Sequence, residues 1–115
     1  MRLFPLFLVA CTPLGTPSAP CASLCEASTE RFTACLEARD ESWESAGYGS
    51  ASDYRESCHT WAWELQVLAR ATSEPAESEA ALDAFCETQQ STIEAEDTDC
   101  DAFFALDWET EPWLR

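Results

Sequence analysis

The chain has 115 residues and carries 22 acidic against six basic side chains, which gives a net charge of -16. This length allows one domain at most, and the excess of negative charge argues against binding to nucleic acid or to an anionic lipid surface. A hydrophobic fraction of 46% with five tryptophans is too high for a disordered acidic tail. The composition therefore predicts a single folded acidic domain.

The N-terminus has the pattern of an exported protein. Residues 1–10 combine a positive start with an apolar run, which is typical of a secretory signal peptide, and the run is too short to span a bilayer as a helix. Its end, Leu8-Val9-Ala10-Cys11, resembles the lipobox of bacterial lipoproteins. The resemblance implies cleavage before Cys11 and a lipid on its sulfur, which would anchor the protein to a membrane. An ordinary signal peptide cut near Ala19 is the alternative.

A linker separates this anchor from the domain. Residues 11–20 contain three prolines and no charge, the composition of a flexible to extended spacer. In bacterial lipoproteins an Asp after the lipidated cysteine often retains the protein at the inner membrane, so Thr12 favours the outer membrane. The predicted organisation is a signal peptide over 1–10, a lipidated cysteine and Pro-rich linker over 11–20, and a cysteine-rich helical domain over 21–115.

Apolar spacing predicts the first two helices of that domain. Helix one begins at a capping box of Ser23 and Glu26 and runs to about Glu44, before a glycine-rich turn about Gly47. Helix two begins at a second capping pattern, Ser50 with Asp53, and residues 54–72 have the most regular apolar pattern in the chain, with steps of four and three. Its inward residues would be Tyr54, Cys58, Trp61, Leu65, Leu68 and Thr72.

Two further helices follow. Pro75 ends helix two and suits the first turn of helix three. Helix three has an apolar face made of Leu82, Phe85, Cys86, Gln89 and Ile93. A polar cap at residues 98–101 opens a short helix over 102–108, and no segment alternates like a strand. The predicted fold is all-α, a small disulfide-stapled bundle of three helices plus a short C-terminal helix.

The seven cysteines indicate an oxidising compartment. Six remain for disulfides if Cys11 carries the lipid. Cys35 lies 12 residues before Gly47 and Cys58 lies 11 after it. If helices one and two form an antiparallel hairpin about Gly47, the two cysteines lie at the same height along the helix axes. This symmetry predicts the pair Cys35–Cys58, and a nested arrangement then gives Cys25–Cys86 and Cys21–Cys100. A zinc site is disfavoured because Cys21-x₃-Cys25 has no second close pair.

The sequence contains little that indicates catalysis. His59 is the sole histidine, no nucleophile signature surrounds it, and we interpret it as a helix-surface or boundary residue. The spacing of Asp97, Asp99 and Asp101 matches the first ligands of an EF-hand calcium loop. The expected glycine and glutamate of that loop are missing, so an acidic helix cap is the alternative. We predict no cofactor.

Aromatic residues offer a possible binding surface. Trp61 and Trp63 are 200° apart on a helix, so Trp63 is expected either to pack under helix three or the C-terminal segment, or to join Trp108 and Trp113 in an exposed patch. We therefore expect a non-enzymatic, lipid-anchored module of the cell envelope that binds a protein or another extracellular ligand. A small carboxylate-based hydrolase and a passive surface spacer are the alternatives.

Overall fold

The computed structural model describes residues 15–95 and 98–106, and all of the regular structure there is helical. Three helices of 20 residues each are followed by a short one: α1 (Ala19–Ala38), α2 (Ala51–Arg70), α3 (Pro75–Glu94) and α4 (Cys100–Phe104). The prediction of an all-α bundle of three helices plus a short C-terminal helix is confirmed. No helix in the described ranges is long and apolar enough to cross a membrane.

Local signals set where each helix begins. The Ser50 hydroxyl accepts the Asp53 backbone N–H at 3.2 Å and caps α2. The Asp99 carboxylate accepts the Ala102 N–H at 2.8 Å and caps α4, and Pro75 occupies the first turn of α3. The predicted cap at Ser23 is wrong, because α1 begins earlier, at Ala19, with a proline in its first turn.

Helix α1 ends at Ala38, well before the predicted Glu44. Asp40 adopts φ 56°, in the left-handed region. The Glu41 N–H donates to the Leu36 carbonyl at 2.9 Å, and the Asp40 N–H donates to the Glu37 carbonyl at 3.1 Å. These two bonds form a Schellman motif, which usually has glycine in the left-handed position. Asp is one of the few other residues that tolerate it, so the helix stops without a glycine signal.

The three long helices each pack against the other two. Ser18 bonds Asp83 at one end of the bundle, and Arg31 bonds the Ile93 carbonyl further along both helices, so α1 and α3 run parallel. Helix α2 runs antiparallel to α1, since Tyr54 near its start meets Ser28. The buried apolar residues come from all four helices: Cys21, Leu24, Cys25, Ala27, Cys35, Leu36, Ala62, Leu65, Ala69, Leu82, Cys86, Ile93 and Phe103.

The buried face of α2 is rotated from the predicted stripe. Ala62, Leu65 and Ala69 are buried, whereas Leu68 is 45% exposed. The prediction assumed that the largest apolar residues face inward. Two small alanines occupy the buried face instead, and a small residue there lets a neighbouring helix approach closely.

Three disulfides link the helices: Cys21–Cys86, Cys25–Cys58 and Cys35–Cys100. The predicted pairs Cys35–Cys58, Cys25–Cys86 and Cys21–Cys100 are therefore wrong, although the six cysteines assigned to disulfides are the six that form them. Disulfides of this kind indicate an oxidising, extracytoplasmic environment.

The pairing error comes from the register of the α1–α2 hairpin. Because α1 stops at Ala38, residues 39–50 fold back along its last turns, and Trp43 stacks on Phe32 with ring centroids 5.0 Å apart. Helix α2 therefore starts level with the middle of α1, and Cys58 lies opposite Cys25. Cys35 lies beyond the start of α2, where α4 supplies Cys100.

Candidate functional site

An aromatic cluster joins four segments at the end of the bundle where α1 stops. Phe32 of α1 lies at its centre, with ring centroids 5.0 Å from Trp43, 4.7 Å from Tyr54 and 5.1 Å from Phe104. Trp43 comes from the segment between α1 and α2, Tyr54 from α2 and Phe104 from α4. Centroid separations of about 4.5 to 7 Å are those of favourable ring pairs, so the cluster holds these segments together.

The cluster leaves a cleft open to solvent, which we call the aromatic cleft. Its volume is about 350 Å³, and it is lined by Phe32, Tyr48, Tyr54, Ser57, Cys58, Trp61, Phe103, Phe104 and Leu106. Six of these nine residues are aromatic. Small-ligand sites have volumes of about 300 to 1,000 Å³ and mostly apolar walls. Phe104 is 39% exposed although it is a large apolar residue, and the Arg39 guanidinium lies over its ring, 4.8 Å from the centroid, so the cleft presents apolar surface to water at an edge that carries a cation.

Tyr54 forms a fixed wall of the aromatic cleft. Its hydroxyl shares a hydrogen bond with the fully buried Ser28 hydroxyl at 2.5 Å. Burial raises the pKa of Tyr54 above its ordinary value of 10.0, against the lowering effect of the Ser28 hydrogen bond and with a small further rise from Tyr48. The phenol is therefore neutral at physiological pH, and its hydroxyl is bonded to the bundle interior.

A second depression runs along α2 beside the aromatic cleft, and we call it the acidic groove. It is lined by Asp53, Glu56, Ser57, Thr60, Trp61 and Glu64. The steps of three and one place these residues on one face of the helix. The acidic groove shares Ser57 and Trp61 with the aromatic cleft, so the two form one continuous surface.

The basic side chains of the described residues are already engaged. Arg31 donates to the Thr98 carbonyl at 2.5 Å and the Ile93 carbonyl at 2.8 Å. The other three form ion pairs, Arg39 with Asp101, Arg55 with Glu26 at 3.0 Å and Arg70 with Glu79 at 3.5 Å. Within residues 15–95 and 98–106, no ion pair is formed by the three carboxylates of the acidic groove.

Trp63, one of the three tryptophans of the predicted binding surface, does not line the aromatic cleft. Trp63 packs against the chain that precedes α1, because a Cβ at Gly15 would lie 2.8 Å from Trp63 Cη2. The Arg70 guanidinium lies over the same ring, 5.3 Å from its centroid. Trp108 and Trp113, its predicted companions, lie outside the described residues, as does the predicted lipidation site Cys11.

The predicted metal candidates have structural partners where they are described. Asp99 caps α4 and Asp101 pairs with Arg39, which matches the alternative interpretation of that motif, while Asp97 lies outside the described residues. Among those that the structure describes, no group of three or more His, Cys, Asp or Glu is arranged to hold a metal ion.

His59 lines a separate small hollow with Gly15, Glu56 and Thr60. Its Nε2 atom is buried and has no hydrogen-bond partner within the described part of the chain. The ring is half-buried on α2, at the edge of the bundle, which agrees with its interpretation as a boundary residue of the helix.

Sequence reasoning missed the residues that line the aromatic cleft. It singled out tryptophans and placed Tyr54 and Trp61 in the core stripe, whereas both line the cleft. A usable signal was present, because Trp43 and Tyr48 flank the predicted turn at Gly47. Aromatic residues in an exposed turn need an apolar surface to cover them, and the nearby face of α1 that carries Phe32 provides it.

Comparisons with known proteins give no further guide to the site. No protein-family model, no curated protein and no solved structure matches this chain. The chemistry of the aromatic cleft and of the acidic groove is therefore the basis for assigning a function.

Proposed function

We propose that this protein is a lipid-anchored, non-catalytic binding module of the bacterial cell envelope, and that the aromatic cleft receives an apolar group of its ligand. The observation that supports this proposal is a cleft of about 350 Å³ in which six of nine lining residues are aromatic. Aromatic side chains dominate the energetics of binding sites because they offer large apolar area at a small entropic cost.

Disulfide bonds between the walls of the aromatic cleft support a preformed site. The cleft is built from α1, α2 and α4, and two disulfides tie the other helices to α1: Cys25–Cys58 for α2 and Cys35–Cys100 for α4. Cys58 is itself a lining residue. A site whose walls are held in place loses little conformational entropy when a ligand binds.

The N-terminal segment of the described chain packs on the bundle, and its position relates the predicted anchor to the cleft. Gly15 and Ser18 contact Trp63, Gln66 and Asp83, at the end of the bundle where α1 begins. Phe32 lies 13 residues after Ala19, about 20 Å further along α1 at about 1.5 Å per residue. A lipid on Cys11, four residues before Gly15, would hold this segment near the membrane and leave the Phe32 wall of the cleft further away, while Glu56 and Thr60 of the acidic groove lie beside Gly15.

The binding role is tested by titrating the disulfide-bonded protein with a neutral peptide that carries a Leu-Phe pair between glycines and serines. We expect amide NMR shifts that concentrate on the residues lining the aromatic cleft. Phe104→Ala should weaken binding about fivefold, the effect of losing a contributing interface side chain. Val67→Ala is the matched control, because Val67 is 47% exposed on α2 and does not line the cleft. Shifts spread evenly over the surface, or equal losses in both variants, would refute the role.

The lipid anchor is tested separately. We expect the bacterium that makes the protein to incorporate labelled fatty acid into it, and Cys11→Ser to abolish that labelling. The variant should appear in the soluble or medium fraction instead of the membrane fraction. Unchanged labelling of Cys11→Ser would remove the anchor from the proposal and leave the binding role of the aromatic cleft to be judged by its own experiment.

A further inference from the structure

We propose that the ligand is a cationic segment of another polypeptide, in which an aliphatic or aromatic anchor fills the aromatic cleft and flanking Lys or Arg side chains lie on the acidic groove. This inference depends on the binding role proposed above and adds the chemical class of the partner. It comes from the shared boundary of the two depressions and from the charges around them.

The shared boundary fixes how such a segment would lie. Ser57 and Trp61 belong to both the aromatic cleft and the acidic groove, so a chain that leaves the cleft on this side passes directly over the groove. Asp53 and Glu64 are 11 residues apart on α2, which corresponds to about 16 Å along the helix. An extended peptide covers that length with about five residues.

The local charge balance favours a basic partner. Asp53, Glu56 and Glu64 form no ion pair with any residue in the described part of the chain, and each of the four arginines there has another partner. Cations that neutralise this groove are therefore supplied from outside the described residues. The net charge of -16 also attracts a basic segment at long range, which raises the association rate at low ionic strength.

The same charges disfavour the other occupants of the cleft. Leu106 lines the cleft, so residues 107–115 follow from its edge, but they carry three acidic residues and one arginine. A second copy of this chain, or an anionic lipid surface, would likewise bring negative charge to the acidic groove. Like charges placed together at an interface oppose binding, so a cationic segment of another protein is the occupant that fits.

The test uses three fluorescently labelled peptides with the same Leu-Phe anchor and with arginine, serine or glutamate flanks, titrated into the disulfide-bonded protein. We expect the arginine peptide to bind about tenfold more tightly than the serine peptide at low salt, since each exposed ion pair contributes a few-fold at most. The advantage should fall to about twofold in about 0.5 M salt, where the screening length is about 4 Å. The glutamate peptide should bind most weakly.

A matched pair of triple variants separates the acidic groove from the overall charge. Asp53→Asn with Glu56→Gln and Glu64→Gln should cost the arginine peptide about tenfold and leave the serine peptide unchanged. The control neutralises three exposed carboxylates on or beside α3, so that both variants have the same net charge. The control positions are Glu74, Glu77 and Glu87, and we expect their replacement by Gln to change the affinity less than about twofold.

Each remaining outcome contradicts the inference in an identifiable way. Equal binding of the arginine and serine peptides would overturn the cationic partner and leave the binding role intact. Equal losses in the two triple variants would mean that only the net charge acts. Binding of the arginine peptide that is insensitive to Phe104→Ala would place it outside the aromatic cleft. Binding seen only after Trp108→Ala and Trp113→Ala would identify the C-terminal segment as the occupant. Failure of all three peptides would also refute the proposed binding role.

Discussion

The two ends of the bundle differ in the side chains that close them, because a cluster of aromatic rings lies at the end where α1 stops. Where α1 begins, directed hydrogen bonds join the helices: the Ser18 N–H donates to Gln66 Oε1 at 3.1 Å, the Ser18 hydroxyl donates to Asp83 at 2.6 Å, and the Thr72 and Ser78 hydroxyls are 2.7 Å apart. Where α1 stops, aromatic rings centred on Phe32 join the segments, beside the hydrogen bonds of Arg31 to the Thr98 carbonyl and of Arg39 to Asp101. We call these the polar end and the aromatic end.

This difference accounts for the cleft at the aromatic end. A hydrogen bond holds its donor and acceptor about 3 Å apart, so the bonded side chains at the polar end keep the helices close together. Ring contacts are less directional, and large side chains that meet at angles leave gaps between them. The exposed Phe104 at the edge of the aromatic cleft is the consequence. Stability and binding capacity therefore have different sources at the two ends.

Removing a disulfide at each end should give the largest effects and separate these two sources. Cys21–Cys86 holds α3 near the polar end and Cys35–Cys100 holds α4 at the aromatic end, and both have a sequence separation of 65. Because the loops are equal, the chain-entropy account predicts an equal loss of about 4 kcal/mol in the free energy of unfolding for either pair. Urea denaturation of the two paired Cys→Ala variants measures this loss.

The two variants should differ in binding. Loss of Cys35–Cys100 frees α4, which supplies Phe103 and Phe104 to the aromatic cleft, so we expect weaker binding of the neutral Leu-Phe peptide. Loss of Cys21–Cys86 should leave that binding unchanged under conditions where the variant is folded. If both variants lose peptide binding equally, the cleft depends on the stability of the whole bundle and the distinction between the ends is wrong.

The sequence predicted the helices at both ends but not the contacts between them. The sequence predicted the start of a helix where a nearby residue marks it, as Ser50 does for α2 and Pro75 for α3. The end of α1 could not be predicted, because Asp40 adopts the left-handed conformation that glycine usually occupies after a helix. That single missed stop displaced the register of α2 along α1. All three disulfide assignments depended on the register and were therefore wrong.

The sequence did not predict the aromatic cleft, for a related reason. Apolar spacing identifies the face of one helix that is buried, but it does not identify which other segment covers that face. Phe32 lies on α1, and its partners come from the segment after α1, from α2 and from α4. A site assembled from four segments requires their tertiary arrangement, which depended on the unpredicted turn at Asp40.

Alkaline pH should weaken the aromatic end selectively. Burial raises the pKa of Tyr54 in the folded protein above 10.0, so the folded state keeps a proton that the unfolded chain loses. This contribution to stability is fully present below pH 10 and is lost as the pH rises through the folded pKa. The loss approaches about 1.4 kcal/mol per pH unit within that window. Urea titrations at pH 8 and at pH 10.5 measure it.

Two variants control the assignment to Tyr54. Tyr54→Phe cannot ionise, so the part of the alkaline loss that Tyr54 causes should disappear, although the missing bond to Ser28 costs about 1 kcal/mol at pH 8. Tyr48→Phe keeps Tyr54 and should keep that loss. An alkaline loss of the same size in Tyr54→Phe as in the unmodified protein would show that other groups cause it.

The smallest effect is expected at Asp40, the residue that ends α1 ahead of the aromatic end. Asp40→Gly should raise the free energy of unfolding by about 0.5 to 1 kcal/mol, because glycine adopts φ 56° without steric cost. Asp40→Asn and Asp40→Ala remove the same charge, so stability should fall in the order Gly, Asn, Ala in urea denaturation. If Ala were as stable as Gly, residue 40 would not be left-handed. Helix α1 could then continue towards Glu44, and the register that forms the aromatic cleft would lose its cause.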